Sequence, residues 1–471
     1  MRRKVELLLV LVLSCVLTYG QKSPKYVFMF IGDGMGTNQV LATQMYLSEL
    51  EGRTGIVPLC FTQFPVTGLS LTYSASSGVT DSAAGGTALS SGNKTANNVM
   101  GMLSDRSTSV KTIAERAHEQ GHRVAVCTTV SVDHATPAAF YAHRPSRNDY
   151  HQIGMQLAES GFEFFAGSDF LQNFDKKNPD MDCGNYAYAE QKGYKIVRGY
   201  EEYRANRDKA DKMILLQPER DDIANLRPRI DQHEGEFNLE QITEAAVDFM
   251  MKEPDKGFFM MVEGGLIDHC LHGNDAASAI QEVIDFDNAI KVAYDFYQKH
   301  KDETLIVVTA DHETGGIVLG LEKYMLNLKV LKNQKMSEEA FTNYLQKKNA
   351  ELEEGPLTWE EVQEELKSNF GFWDSVRISE SQENRLRNAY VETFGMNYVE
   401  ENQEEYYKVD KLSDLAVKIL CEVAQINWGT GSHSAGYVPV FAVGNGASSF
   451  TGQIENTEIP VRIAEIAGYK W

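Results

Sequence analysis

The sequence predicts an α/β fold: a central, mainly parallel sheet sandwiched between helices, with a helix-rich insertion before the last motif. Three observations carry this expectation. Short apolar runs such as YVFMFI (26–31), FFMMV (258–262) and TLIVVT (304–309) show no polar alternation, so both of their faces are expected to be buried. Text of helical period lies between them. Glycine-bearing turns come directly after two of the runs, as GDGMG and EGG.

Residues 1–20 differ in character from the rest of the chain. Arg2, Arg3 and Lys4 precede an apolar run from Leu7 to Leu13 that continues to Leu17, and Thr18, Tyr19 and Gly20 offer a cleavage point. A secretory signal peptide is expected, giving a secreted or periplasmic protein. Lipid anchoring at Cys15, after Leu13 and Ser14, is the alternative. YVFMFI is the first strand, and its GDGMG turn opens a helix-like stretch to Glu51. TIAERAHEQG reads as a helix ahead of the strand RVAVC (123–127), and a long amphipathic stretch, 276–301, leads into TLIVVT. Residues 21–320 and 428–471 are expected to form one α/β domain, to which VPVFAVG (438–444) returns as a strand. Residues 321–427 are charged and helix-prone, with Thr358 and Glu361 spaced for a capping box. They are expected to form an insertion packed over one edge of the sheet.

Composition narrows the function. With 42% hydrophobic and 24% charged residues the chain matches an ordinary globular protein. Its net charge is −22, and loss of residues 1–20, which carry three bases and one acid, would deepen it to −24. Such a surface repels nucleic acid and anionic membrane, so neither is expected as a specific partner. An anionic substrate would need a local cation, either an arginine or a metal. No later run approaches 18 apolar residues, so no transmembrane span is expected. Cys60, Cys127, Cys183, Cys270 and Cys421 are scattered and odd in number, and they spell neither a disulfide framework nor a CxxC zinc site.

The chemistry lies where the apolar runs end. Asp33 comes after the first, Glu263 after the second, and Asp311 with His312 after the third. A single acid at a strand tip is ordinary loop polarity. Several at one edge would repel one another unless cations held them together, which suggests metal. Asp268 and His272 in GGLIDHCLHGND are four apart, the spacing that puts two groups on one face of a helical turn, although a solvated turn would look the same. Zinc favours imidazole with carboxylate. His433 in GTGSHSAGY is flanked by small residues that would let it reach a crowded centre, and a structural histidine is the alternative. In GVTDSAAGGTALSSGNKT, Ser82 is expected near a helix N-terminus, either as a plain cap or as a nucleophile activated by metal. DHATPAAFYAHRPSRNDY supplies His134, Thr136, Arg144 and Arg147, and an arginine fork matches phosphate oxygens.

These residues together resemble the alkaline phosphatase family. GDGMG with Asp33, TDSA around Ser82, HATP with His134 and Thr136, VEGGLIDH, TADHETGG and GSHS occur in the family's order and span residues 26–444. The resemblance implies one zinc held by Asp268, His272 and His433, and a second held by Asp33, Asp311 and His312 beside Ser82. It implies a third site, usually magnesium, made by Asp33, Thr136 and Glu263. Arg147 would grip the substrate's phosphate with Asp81 orienting it, His269 would assist substrate binding, and His134 and His269 would act through water. The implied reaction is phosphate monoester hydrolysis in two in-line displacements through a phosphoserine on Ser82, with the zinc ions activating nucleophile, leaving group and water. Small-molecule phosphate monoesters are the implied partners, and a homodimer the implied assembly. A sulfatase would need Pro and Arg shortly after the nucleophile, where Ser82 is followed by AAGG. A phosphodiesterase of the same superfamily, or a non-catalytic phosphate binder, remains as an alternative. The sequon Asn93-Lys94-Thr95 reads as a bystander so close to Ser82.

Overall fold

The computed structural model describes residues 23–176, 183–218, 225–322, 324–352, 355–394 and 409–471. The segment expected to be a signal peptide, with Cys15, lies outside the described residues. The strands, in chain order, are β1 (Tyr26–Gly32), β2 (Val66–Leu71), β3 (Arg123–Thr128), β4 (Phe164–Gly167), β5 (Tyr194–Arg198), β6 (Lys212–Leu216), β7 (Phe258–Gly264), β8 (Thr304–Thr309), β9 (Glu313–Thr314), β10 (Val318–Leu319), β11 (Ile426–Asn427), β12 (His433–Ser434), β13 (Val438–Gly444) and β14 (Gly452–Glu455).

Ten of them form one sheet in the order β14-β2-β13-β8-β1-β7-β3-β4-β6-β5. β13 alone runs antiparallel to its neighbours, and every other pair in this sheet is parallel. Parallel strands need crossovers, and the helices that provide them bury both faces of the sheet. Successive residues of β1 accordingly alternate between two cores. Phe28 and Phe30 pack with the helices Leu239–Met250 and Ala276–Lys299. Val27, Met29 and Ile31 pack on the opposite face with the helices Ser82–Ser91, Ile113–Glu119 and Glu458–Ala467. Pro439, which cannot donate to a ladder, precedes the part of β13 that pairs with β8.

Register positions the chemistry. Ile31 stands beside both Thr309 and Glu263, and Thr128 stands beside Glu263 on its other side. Asp33 and Asp311, each two residues past that level, therefore emerge with Glu263 at one carboxyl edge, where ligands of such sheets bind.

Residues 328–424 contribute the helices Glu338–Ala350, Trp359–Phe370, Glu380–Phe394 and Lys411–Ala424, and the capping box of Thr358 and Glu361 is formed. β10 and β11 pair antiparallel, which brings the entry and exit of this segment together. Its core, including Phe341, Leu366 and Val417, packs on Ala42 and Tyr46 of the helix Thr37–Leu50 and on Ala276 and Ile280 of the helix Ala276–Lys299. The segment thus leans on helices rather than on a sheet edge, contrary to the expectation, because those two helices carry apolar side chains on the face turned from the sheet. No described helix is long and apolar enough to cross a membrane.

Candidate active site

Three groups of potential ligands converge at the carboxyl edge. The first is Asp268, His272 and His433. The turn of helix Leu266–His272 places Asp268 Oδ2 3.2 Å from His272 Nε2, as the four-residue spacing predicts. His433 arrives on β12, which pairs antiparallel with β9 just after His312, and its Nε2 lies 3.2 Å from that of His272. The second group is Asp33, Asp311 and His312. His312 Nε2 lies 3.3 Å from Asp33 Oδ1 and 3.2 Å from Asp311 Oδ2, and all three residues are fully buried. The third is Asp33, Glu263 and His134. Thr136 adds its hydroxyl, 3.3 Å from Asp33 Oδ2 and 3.4 Å from Asp311 Oδ2.

Ser82 opens the helix Ser82–Ser91, with Asp81 as its N-cap accepting from the Ala84 amide at 3.0 Å. Ser82 Oγ is 3.2 Å from His312 Nε2. It therefore lies at the second group and at the positive end of a helix dipole. Arg147 lies on a loop fastened to Asn98, whose carbonyl accepts its amide at 2.9 Å. Its Nη1 is 3.4 Å from Asp81 Oδ2, and its Nη2 is 3.3 Å from His134 Nε2. Ser82, Arg147, His134, Asp268, His272 and His433 share the wall of one cavity of about 600 Å³. His269 sits behind them, 5.6 Å from His134 ring to ring, with Asn225 Nδ2 3.1 Å from its Nδ1.

The electrostatics suit cations. Burial, then Asp311, Asp268 and Glu263, hold Asp33 well above the ordinary carboxylate range. Burial likewise pushes Glu263 up to about 8 and Asp311 up to about 7. Asp268 is the exception: burial opposes its ionisation, but His272 and His433 outweigh burial and hold it well below the ordinary value. Burial keeps His312 and His134 neutral, and lowers His269 to about 4. Acids that resist ionisation beside neutral imidazoles accept either protons or metal ions.

The donor geometry fits metal. A tetrahedral ion bound at about 2.0–2.1 Å has ligand-to-ligand edges of about 3.3–3.4 Å. The edges from His272 Nε2 to His433 Nε2 and to Asp268 Oδ2 are both 3.2 Å. Those from His312 Nε2 to Asp33, Asp311 and Ser82 are 3.2–3.3 Å. The Nδ1 atoms of His272 and His433 each face a carbonyl, which leaves the two Nε2 atoms, 3.2 Å apart, placed to share one cation. The buried oxygens Asp33 Oδ1 and Glu263 Oε1, which find no hydrogen-bond donor, belong to these same groups.

Every residue singled out in the sequence for this chemistry reaches this edge except Arg144, which instead pairs with Asp149 at 2.8 Å. Others were not singled out. The Thr128 hydroxyl donates to Glu263, and that of Thr314 to Asp268. The Thr80 and Gly431 carbonyls lie 2.8 Å from Nδ1 of His433 and His272. A carbonyl carries no side-chain signal; Thr128 closes β3, whose run had been read only as a strand, and Thr314 stood unremarked inside the motif TADHETGG.

Known proteins are similar to this chain in sequence and fold. The family model for alkaline phosphatase matches residues 24–183 and 186–469. Alkaline phosphatase 3 of Bacillus subtilis is 31% identical over 453 residues, which is 95% of this chain and 90% of that protein. The crystal structure of a cold-active alkaline phosphatase from a psychrophilic Shewanella is 28% identical with a TM-score of 0.76, covering 94% of this chain and 99% of that one. A variant of the alkaline phosphatase from the Antarctic bacterium TAB5, in which a histidine is replaced by aspartate, has Mg bound in its M3 site. It is 27% identical with a TM-score of 0.65, covering 96% of this chain and 100% of that one.

Proposed function

Because the chain belongs to the alkaline phosphatase family, whose reaction is metal-dependent phosphate monoester hydrolysis, we propose that it proceeds through a phosphoserine on Ser82 with two zinc ions and a third divalent ion. The carrying observation is that Ser82 Oγ occupies the same 3.2 Å spacing around His312 Nε2 as the carboxylate of Asp311. Asp268, His272 and His433 would hold one zinc, and Asp33, Asp311 and His312 the other. The ions, when bound, supply Lewis-acid charge that ionises a hydroxyl or water and neutralises the entering and leaving oxygens.

Ser82 Oγ gives up its proton to solvent and attacks phosphorus, the new Oγ–P bond forming as the P–O bond to the alcohol breaks; the alcohol departs as an alkoxide and takes a proton from water. Arg147, with Asp81 at its Nη1, holds the non-bridging oxygens by paired hydrogen bonds. The first amides of the helix Ser82–Ser91 add positive potential at the same place. Water then cleaves the Oγ–P bond, releasing phosphate and restoring the hydroxyl. Among the described residues the side chain that meets the Ser82 hydroxyl is His312, whose Nε2 also faces the acids, so electrostatic stabilisation carries the step. The third ion would rest on Asp33, Glu263, Thr136 and His134. The His134 imidazole shifts that set from an all-oxygen magnesium site towards zinc. Residues 1–20 would export the enzyme.

Acid quenching during turnover of a radiolabelled aryl phosphate, with peptide mapping of the product, should recover label on Ser82. Ser82→Ala should lose the label and about 10³-fold or more in kcat at unchanged metal content. Label on another residue, or a variant retaining most of the turnover, would overturn the reading.

A further inference from the structure

We propose that Thr314 is a positioning residue that sets the tautomer of His312 and couples the two zinc groups through one hydroxyl. Its side chain is fully buried. The hydroxyl donates to Asp268 Oδ1 in the first group, and its oxygen lies 3.2 Å from His312 Nδ1 in the second. A hydroxyl has a single proton. Here the carboxylate takes that proton, so the contact with Nδ1 is attractive only when Nδ1 carries its own. An imidazole protonated at Nδ1 presents a lone pair at Nε2, the atom that faces Asp33, Asp311 and Ser82.

The other two imidazoles are treated alike. His433 Nδ1 meets the Thr80 carbonyl and His272 Nδ1 the Gly431 carbonyl, each at 2.8 Å. His312 is the one of the three that relies on a side chain, and that side chain is held firmly. The Thr314 amide donates to the Gly34 carbonyl at 3.0 Å, its carbonyl accepts from Gln39 at 2.8 Å, and it is the strand partner of His433. Gly34, at φ +71°, leaves the room: a Cβ there would stand 2.7 Å from Asp268 Oδ1 and 2.8 Å from the Thr314 hydroxyl.

The inference rests on the reading of these groups as metal sites, and the experiment separates the two. Chelator-stripped wild type, Thr314→Val and Thr314→Ser are titrated with zinc against a chromogenic chelator, and the melting temperature of each stripped protein is recorded. Valine keeps the shape and removes the hydroxyl, so zinc affinity should fall about 10–100-fold while the stripped proteins melt together. Serine should restore it to near the wild-type value. Should the valine variant not fold, Thr314→Ala carries the same expectation. Wild-type affinity in the valine variant, or a serine variant as weak as the valine one, would overturn the role of Thr314 alone. Failure of the wild type to bind zinc would overturn the metal sites as well.

Discussion

Replacing Arg147 by alanine tests whether the cavity is built for a monoester. The guanidinium lies against Asp81 and His134, and its side chain is only 10% exposed, so its position is largely set before substrate arrives. Charge-assisted hydrogen bonds contribute about 1.5–3 kcal/mol each, and two would reach a phosphoryl dianion. The cavity is open enough for water to replace part of that, so a net loss of about 3–4 kcal/mol is expected, or about 10²–10³ in kcat/KM. Asp81 keeps its bonds from the Ala84 and Asn98 amides, so the helix that carries Ser82 should stay in place. The assay is kcat/KM for an aryl phosphate and for its methyl diester, with the inhibition constant of inorganic phosphate measured alongside. The monoester and phosphate should suffer together, while the diester, which has an ester group where one charged oxygen was, should lose much less. Arg147→Lys should recover only part, since an ammonium is a point charge without the fork. Equal losses on monoester and diester would refute the assignment.

Buried acids give two further expectations. Glu263, at about 8, and Asp311, at about 7, must release protons before they can ligate, so zinc affinity of the stripped protein should rise with pH between about 6 and 8. Competition titrations at three pH values would show it, and a flat profile would count against these two as ligands. Glu282 is fully buried away from the site, where burial and then Asp285 push it up to about 8 from an ordinary 4.5. Because its folded pKa exceeds its unfolded one, it lowers stability progressively as pH rises through that window. Glu282→Gln keeps an acceptor for the Arg229 amide at 2.6 Å but does not titrate, so its advantage over wild type should grow with pH, by on the order of 2–5 kcal/mol. Urea denaturation at pH 5, 6.5 and 8 measures this, and parallel curves would contradict it.

What could be read in advance was whatever a short stretch of chain specifies by itself. β1, β3, β7, β8 and β13 were legible because fully buried strands are uninterrupted apolar runs. β2 was missed because VTGLSL carries Gly68, which lets β14 approach: a Cβ would lie 2.7 Å from the Gly452 carbonyl oxygen. β4, β5 and β6 are only four or five residues long and sit among helical text, too short for periodicity to separate them. At the site, helical spacing alone joined Asp268 to His272. His433, 161 residues further on than His272, was open to a structural reading until family order supplied the connection. The threonines show the limit most plainly. Thr314 stood in a quoted motif two residues past His312, yet its hydroxyl gains meaning only from Asp268, 46 residues away, brought opposite by the parallel register of β1, β7 and β8. Ligands announce themselves by residue type, whereas the groups that orient them are ordinary residues whose role is created by the fold.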